Sequence, residues 1–134
     1  MRRKHIILLI LVAYIGFIFF LTVLSRESSD KCLIRLDLFE GILEPGPEGY
    51  RDLIQNIVCF VPVGVLVGIL SRRYRVVKAL LAGMLIWLTV ECSQLIWHRG
   101  VFDVNDLFNN ALGALIGGFI VVGVINGTQR HKPI

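Results

Sequence analysis

Acidic, amide and basic side chains are concentrated between Glu91 and Asn110, where two strongly apolar segments of the sequence meet. Neighbours on a helix surface recur every three or four residues, so Glu91 and Gln94 share one helix face. Asp103, Asp106 and Asn110 follow the same spacing and share a second face. A carboxylate in the bilayer core costs about 2.5–3.5 kcal/mol on insertion scales, so Glu91 needs a partner, a proton or a function.

We expect Arg99 and Asn56 to lie beside these residues, where the ends of three helices meet. Two kinds of chemistry fit the resulting cluster. Arg99 would bind a phosphate or carboxylate through its guanidinium, while the amides and acids would hydrogen-bond a polar headgroup. Alternatively, Glu91, Asp103 and Asp106 are candidate catalytic residues, because paired carboxyls beside an apolar wall suit general acid–base catalysis. The same three carboxylates could hold a divalent cation through oxygen ligands.

The lack of any known catalytic motif in the sequence favours binding over catalysis. The sequence contains no H-E-x-x-H pair, no glycine-rich phosphate loop outside an apolar segment and no nucleophile with an evident base. A small transporter or an oligomeric scaffold is a third hypothesis. Four short helices are few for a lone transporter, but a homo-oligomer could supply the helices that one chain lacks.

Structural roles are the alternative for individual residues. Asp103 would cap the N-terminus of a helix, and Asp106 would interact favourably with its dipole. Asn56 and Asn110 would hydrogen-bond across helices, and Arg99 would pair with one of the carboxylates. Seven such residues from three helices exceed what helix packing requires, which favours a site.

Four apolar segments must position these side chains. The chain is 55% hydrophobic, above the roughly 45–50% of a soluble domain, and its apolar residues form blocks near the ~20 residues that cross a bilayer. We therefore predict one all-α membrane domain over residues 1–134. It is a four-transmembrane-helix bundle with helices at about 5–24, 54–70, 79–97 and 106–125. The first block is longer than the ~7–15 apolar residues of a signal peptide, which favours an uncleaved anchor.

The charges predict the orientation of this bundle. The N-terminus, the loop between the second and third helices and the C-terminal tail together hold nine Lys and Arg and no acid. The remaining segments hold five Lys and Arg and all 10 acidic residues. Short loops rich in Lys and Arg stay in the cytoplasm, so both termini are predicted on the cytoplasmic side of the membrane and the polar cluster on the outer side. The net charge of +4 then indicates anchoring at an anionic leaflet, not nucleic-acid binding.

The first outer loop, from about Ser25 to Leu53, has a pattern of its own. Leu33, Leu36 and Leu43 have helical spacing with interspersed charge, which is typical of a short interfacial helix. Alternation within "LIRLDLF" fits a strand nearly as well, and "EPGPEG" is typical of a turn.

Small residues predict where two of the helices touch. Glycines that lie four residues apart allow two membrane helices to approach closely. The second and fourth predicted helices each carry such a pair: Gly64 with Gly68, and Gly113 with Gly117. We expect these two helices to pack against each other.

Four short patterns run through the second half of the sequence. They are N-x-x-x-F-x-P-x-G (Asn56, Phe60, Pro62, Gly64), E-x-x-Q (Glu91, Gln94), an Arg-Gly step at Arg99, and F-D-x-x-D-x-x-x-N-x-x-G (Phe102, Asp103, Asp106, Asn110, Gly113). With these motifs the sequence resembles the VanZ-like family of small bacterial membrane proteins. The resemblance covers roughly Ile54 to Gly118, and the first helix and first loop match in layout only.

The resemblance implies a role at the cell envelope. The family is named for a protein associated with resistance to glycopeptide antibiotics, above all teicoplanin, which carries an acyl tail and binds peptidoglycan precursors outside the membrane. It therefore implies membrane lipids, a lipid-linked wall precursor or a lipoglycopeptide as partners. It implies no settled mechanism.

Overall fold

The computed structural model describes residues 2–26, 33–35, 47–99 and 101–130. The described helices, in chain order, are α1 (Arg2–Phe19), which continues as a π-helical turn (Phe20–Leu24), α2 (Pro47–Leu70), α3 (Arg75–Ile96) and α4 (Val104–Arg130). Two short strands are also described, β1 (Leu33–Arg35) and β2 (Val101–Asp103). All four helices are long and apolar enough to cross a membrane, which confirms the predicted all-α, four-helix architecture.

The helices are longer than the apolar blocks that predicted them. Hydropathy marks the part of a helix that lies in the bilayer, whereas backbone hydrogen bonding continues past it. The difference is largest for α2, which begins at Pro47 instead of about residue 54. Proline suits the first position of a helix, where its missing N–H has no intrahelical acceptor. Residues 47–49 of the predicted turn "EPGPEG" are therefore helical, and residues 44–46 lie outside the described residues.

The first long loop contributes a strand. Leu33–Arg35 forms β1, which pairs in parallel with β2 in the register Leu33 to Val101, Ile34 to Phe102 and Arg35 to Asp103. At these three residues the structure agrees with the strand alternative and not with the interfacial helix. The rest of that predicted helix, residues 36–43, lies outside the described residues. The strand pair leads directly into α4, so it helps to fix where α4 begins.

Close contact between α2 and α4 forms the centre of the bundle. Three of the four glycines predicted at this contact have no room for a methyl group, which would overlap backbone atoms of the facing helix: Gly64 at Ala114, Gly113 at Ile57, and Gly117 at Val61. A methyl group at Gly68 would lie 3.2 Å from the Val121 side chain. The α3 helix also packs against α4, where a methyl group at Gly83 would lie 2.6 Å from the Ala114 side chain.

The first helix lies at the edge of the bundle. Leu11 and Ile18 are its buried side chains, and Val23 is buried in the π-helical turn that follows. These three residues pack in one apolar cluster with Phe60 of α2 and Val90 of α3. The Tyr14 hydroxyl donates a hydrogen bond to the Cys59 carbonyl oxygen at 2.9 Å. Most other side chains of α1 face outward, as expected of a helix that is largely surrounded by lipid.

Candidate functional site

All seven polar residues predicted to form a site lie at one end of the bundle. We call it the polar end: it is where α1 and α3 finish and where α2 and α4 begin. Glu91, Gln94 and Asn110 are buried there. The other four are partly buried: Asn56, Arg99, Asp103 and Asp106. The fold thus brings together side chains that are more than 50 residues apart in the sequence.

A short hydrogen bond joins α2 to α4 at this end. The Asn56 side-chain amide donates to the Asp106 carboxylate oxygen Oδ1 at 2.6 Å. Both side chains are partly buried, so the pair is shielded from much of the solvent. The carboxylates of Asp103 and Asp52 interact electrostatically with Asp106. Asp52 was missed by the sequence analysis, although it lies one helical turn before Asn56, because α2 was predicted to begin only after it.

Local structure at the start of α4 fixes Asp103. Its carboxylate oxygen Oδ1 accepts hydrogen bonds from the Asn105 backbone N–H at 2.9 Å and from the Asn105 side-chain amide at 3.0 Å. Asp103 precedes the first residue of α4, so its side chain caps the helix as an N-cap residue. The structure thus has the capping role that was the alternative interpretation of Asp103. The same residue lies within electrostatic range of Glu91.

The end of α3 is a Schellman turn, which directs the chain back across the polar end. The Arg99 backbone N–H donates to the Gln94 carbonyl at 2.9 Å, and the His98 N–H to the Leu95 carbonyl at 3.4 Å. His98 adopts the left-handed conformation with φ of 52° that this motif requires after the cap residue. The turn leads into β2, where the Phe102 ring packs edge-on against the ring of Trp87 at 5.5 Å between centroids.

Glu91 lies on the face of α3 that packs against α4. On that face, about two helical turns deeper, the Gly83 position contacts Asn110 and Ala114 of α4. The two helices are antiparallel, so the residues of α4 nearest to Glu91 are those before Asn110. Its charge accordingly interacts with those of Asp106 and Asp103, and the Asp103 backbone donates a hydrogen bond to the Glu91 carboxylate. Glu91 is only 3% exposed.

Four buried polar atoms in this region have no hydrogen-bond partner among the described residues. Three are acceptors and one is a donor: Glu91 Oε2, Gln94 Oε1, Asn110 Oδ1 and Trp87 Nε1. Their side chains are 3%, 4%, 6% and 6% exposed, respectively. A buried polar group without a partner costs about 1–3 kcal/mol. A group of unpartnered buried polar atoms is typical of a ligand-binding site, because packing alone would select apolar side chains there.

Two side chains of the cluster also hold α1 in place. The Gln94 amide nitrogen donates to the Thr22 carbonyl at 3.0 Å, and Arg99 Nη1 donates to the Leu24 carbonyl at 2.9 Å. Both carbonyls lie in the π-helical turn, at a helix end where carbonyl groups lack intrahelical partners. The ring of Trp97 packs edge-on against that of Phe19 at 5.7 Å between centroids. Gln94 and Arg99 therefore have a structural role that their motif alone did not reveal.

Among the described residues, the cation that interacts with both Glu91 and Asp106 is Arg26. Its charge acts on Glu91 and on Asp106, whereas Arg99 was the residue for which the sequence suggested pairing with a carboxylate as the alternative to ligand binding. Arg26 follows the first apolar block directly, and its position in a loop of unknown course gave no signal of this proximity. The structure does not support the divalent-cation site that Glu91, Asp103 and Asp106 suggested. Within the described ranges, no three His, Cys, Asp or Glu residues are grouped so that they could hold a metal ion.

Comparison with known proteins gives one family and one curated relative. The sequence model of the family described as VanZ/LLP1 matches residues 5–126. "Protein VanZ" of Enterococcus faecium is 26% identical over 85 residues, which cover 63% of this chain and 52% of that protein. The chain thus spans about half the length of this relative. No solved structure matches the chain.

Proposed function

The chain belongs to the VanZ/LLP1 family, and from that premise we propose that its polar end binds the polar part of an amphiphilic envelope molecule. The molecule would be a phospholipid, a lipid-linked peptidoglycan precursor or a lipoglycopeptide of the teicoplanin type. Binding would take place at the outer surface of the bacterial cytoplasmic membrane and would contribute to glycopeptide resistance.

The observation that carries this proposal is the set of unpartnered buried polar atoms of Glu91, Gln94 and Asn110. Structural hydrogen bonds across helices would satisfy such atoms, as the bond between Asn56 and Asp106 does. A ligand headgroup would supply the hydrogen bonds that these atoms lack. This interpretation explains why the polar residues of three helices converge, which capping and helix linkage explain only for some of them.

Apolar side chains around the polar end support an amphiphilic ligand. Large hydrophobic residues are exposed near the ends of the helices that carry the cluster: Phe20, Leu24, Ile54, Ile96 and Trp97. They would contact the acyl or prenyl part of a molecule whose headgroup enters the cluster. The membrane architecture, with four helices able to span a bilayer, supports the same arrangement.

The side of the membrane follows from the distribution of charge. The polar end carries Asp52, Glu91, Asp103 and Asp106, and the opposite end carries Arg2, Arg3, Arg72, Arg73 and Lys78. Segments rich in Lys and Arg stay in the cytoplasm, so the polar end would face the cell exterior. Lipid-linked wall precursors and lipoglycopeptides meet at that surface.

Equilibrium binding by the purified protein in lipid nanodiscs tests this proposal. The probes are a teicoplanin-type lipoglycopeptide and the same glycopeptide core without its acyl chain. We expect the wild type to bind the acylated molecule, and Glu91→Gln and Arg99→Ala to abolish binding while circular dichroism shows an unchanged helix content. Arg51→Ala is the control, because Arg51 is an exposed residue of α2 near the same end.

Cells provide the second readout of this experiment. Expression of the wild type in a glycopeptide-sensitive host should raise the inhibitory concentration of the acylated drug, and Glu91→Gln should return it to the level of the empty vector. If both variants bind an envelope lipid and the drug as the wild type does, the polar end is not the binding site.

A further inference from the structure

We infer that the inner part of the polar end is built for a primary ammonium group that lies next to an anionic group in the same ligand headgroup. This inference rests on the proposed function, and it narrows the ligand to a class. Phosphatidylethanolamine has such a headgroup, and so does a lipoglycopeptide with a free amine and a carboxylate.

The buried atoms without partners have a surplus of acceptors. Glu91 Oε2, Gln94 Oε1 and Asn110 Oδ1 are all oxygens that accept hydrogen bonds, against one donor, Trp87 Nε1, among the described residues. A ligand that satisfies them must present several N–H or O–H hydrogens. An ammonium group presents three, whereas a phosphate or carboxylate presents none in its ionised form. The surplus therefore excludes an anion as the group that enters deepest.

Charge favours an ammonium group over neutral hydroxyls. Glu91 interacts with the charges of Asp106 and Asp103, and Asp106 with that of Asp52. Arg26 is the cation that acts on both Glu91 and Asp106. Among the described residues, the charges that act on Glu91 and Asp106 thus come from carboxylates and from one cation, Arg26. Like charges within about 4–6 Å destabilise one another, and a bound cation relieves that repulsion.

Two aromatic rings form a wall on the deeper side of Glu91. The rings of Trp87 and Phe102 pack edge-on at 5.5 Å between centroids, and Trp87 lies one helical turn below Glu91. The face of an indole ring attracts an ammonium group within about 6 Å. Trp87 is only 6% exposed, so this wall is shielded from solvent.

Two arginines at the rim match the anionic group of such a ligand. Arg26 is exposed and lies within electrostatic range of Glu91. Arg99 is partly buried, and its bond to the Leu24 carbonyl uses one of the five N–H donors of its guanidinium. Guanidinium groups bind phosphate and carboxylate through charge-assisted hydrogen bonds. The ligand would therefore enter with its ammonium toward Glu91 and leave its anion at the rim.

The same geometry predicts which amphiphiles are rejected. Phosphatidylcholine carries a trimethylammonium group, which has no N–H to give to the three acceptors and is bulkier. Phosphatidylglycerol offers hydroxyls but no positive charge. The ratio of the affinities for phosphatidylethanolamine and phosphatidylcholine therefore measures the contribution of hydrogen bonds to the three acceptors. The ratio of the affinities for phosphatidylethanolamine and phosphatidylglycerol measures the contribution of the positive charge.

Titration of the full chain in detergent with each of the three phospholipids, read by native mass spectrometry, tests the first ligand source. We expect phosphatidylethanolamine to bind at least about tenfold more tightly than either of the others, which is the ratio that a few hydrogen bonds to a charged group produce. Glu91→Gln and Asn110→Leu should reduce this preference to less than about threefold. Thr89→Val is the matched control on α3, because the Thr89 hydroxyl is exposed and bonds to its own helix at the Leu85 carbonyl.

A second arm compares the free lipoglycopeptide with its N-acetylated derivative on the same protein. Loss of binding on acetylation identifies the drug amine as the group that is recognised, and a preference in the first arm identifies the phospholipid. If neither arm shows a preference for a free amine, the inference is overturned, while headgroup binding that still depends on Glu91 would leave the proposed function standing. A preference that survives both Glu91→Gln and Asn110→Leu would also overturn it, because the selectivity would then lie elsewhere.

Discussion

Glu91 combines two properties that oppose stability. Its carboxylate is almost completely buried, and it shares its surroundings with Asp103 and Asp106. One carboxylate oxygen accepts a hydrogen bond from the Asp103 backbone, and the other, Oε2, has no partner among the described residues. Residues that bind ligands are often of this kind, because a site preorganised for a partner is strained without it. Glu91 should therefore be replaceable at no cost to the fold.

We predict that Glu91→Gln raises the free energy of unfolding by about 1 kcal/mol. The amide keeps an oxygen for the Asp103 N–H, removes the repulsion with two carboxylates, and adds a donor where acceptors are in surplus. Reversible unfolding in mixed detergent micelles measures this change. A loss of stability of similar size would show that the charge holds the bundle together, and the binding role would lose its main support.

In contrast to Glu91, Asn56 and Asp106 should stabilise the bundle, because their side chains hydrogen-bond to each other. A double-mutant cycle with Asn56→Ala and Asp106→Ala isolates their bond from other losses. Cycles on hydrogen bonds in membrane bundles average about 0.6 kcal/mol and reach about 1.7 kcal/mol, and we expect the upper part of this range for a 2.6 Å bond to a carboxylate. Gln55→Ala is the control, because Gln55 is the exposed neighbour of Asn56. It should show no measurable coupling energy with Asp106→Ala. Equal coupling energies for Asn56 and Gln55 would contradict the assigned bond.

At the scale of elements, glycine decides how closely α4 can approach α2. A methyl group at Gly113 would overlap the Ile57 carbonyl, whereas Gly123, on the same helix, has nothing within 4 Å of that position. We predict that Gly113→Ala lowers the free energy of unfolding by about 1–3 kcal/mol, the usual cost of overpacking. Gly123→Ala should leave stability unchanged or raise it, because alanine favours helix by up to about 1 kcal/mol. Similar effects from both variants in the unfolding assay would argue against the close α2–α4 contact.

Helix spacing and apolar blocks were sufficient to predict much of this architecture. The four spans follow from block length, and the shared face of Glu91 and Gln94 follows from the helical period. Both are local properties of the chain, so a sequence without relatives reveals them. The start of α2 at Pro47 was missed because its first turns are polar, and hydropathy reports only the part of a helix inside the bilayer.

Contacts between distant segments could not be predicted in this way. The pairing of β1 with β2 joins residues 68 positions apart, and three-residue strands carry too little alternation to reveal a partner. The approach of Arg26 to Glu91 depends on how the end of α1 is held, which in turn depends on Gln94 bonding to a backbone carbonyl. A backbone acceptor leaves no trace in the sequence, since every residue has one.

Across the whole molecule, charged side chains are distributed unevenly between the two ends of the bundle. Acidic and amide side chains gather at the polar end, and the turn at the other end exposes Arg72 and Arg73, with Arg75 donating to the Gly68 carbonyl at 2.5 Å. An anionic cytoplasmic leaflet attracts such basic segments by about 1 kcal/mol per Lys or Arg near the surface. This asymmetry is the physical basis for the proposed orientation.

Thiol labelling in intact cells tests that orientation with two matched positions. Arg51 and Arg73 are both exposed and lie near opposite ends of α2. In a background without the native cysteines, we predict that Arg51→Cys reacts with a membrane-impermeant maleimide and that Arg73→Cys reacts only after the cells are lysed. The reverse pattern would place the polar end in the cytoplasm and remove wall precursors and externally added drugs as direct ligands.

The central claim is that the polar end holds the headgroup of an envelope amphiphile, and crosslinking in living cells tests it most directly. A photoreactive benzophenone amino acid would replace Phe102, which is half-buried beside Trp87, or Phe119, which is exposed on α4. After illumination, mass spectrometry of the purified protein identifies the attached molecules. We predict that adducts at residue 102 are enriched in one class of headgroup, whereas those at residue 119 follow the bulk lipid composition. The same distribution at both positions would contradict the claim.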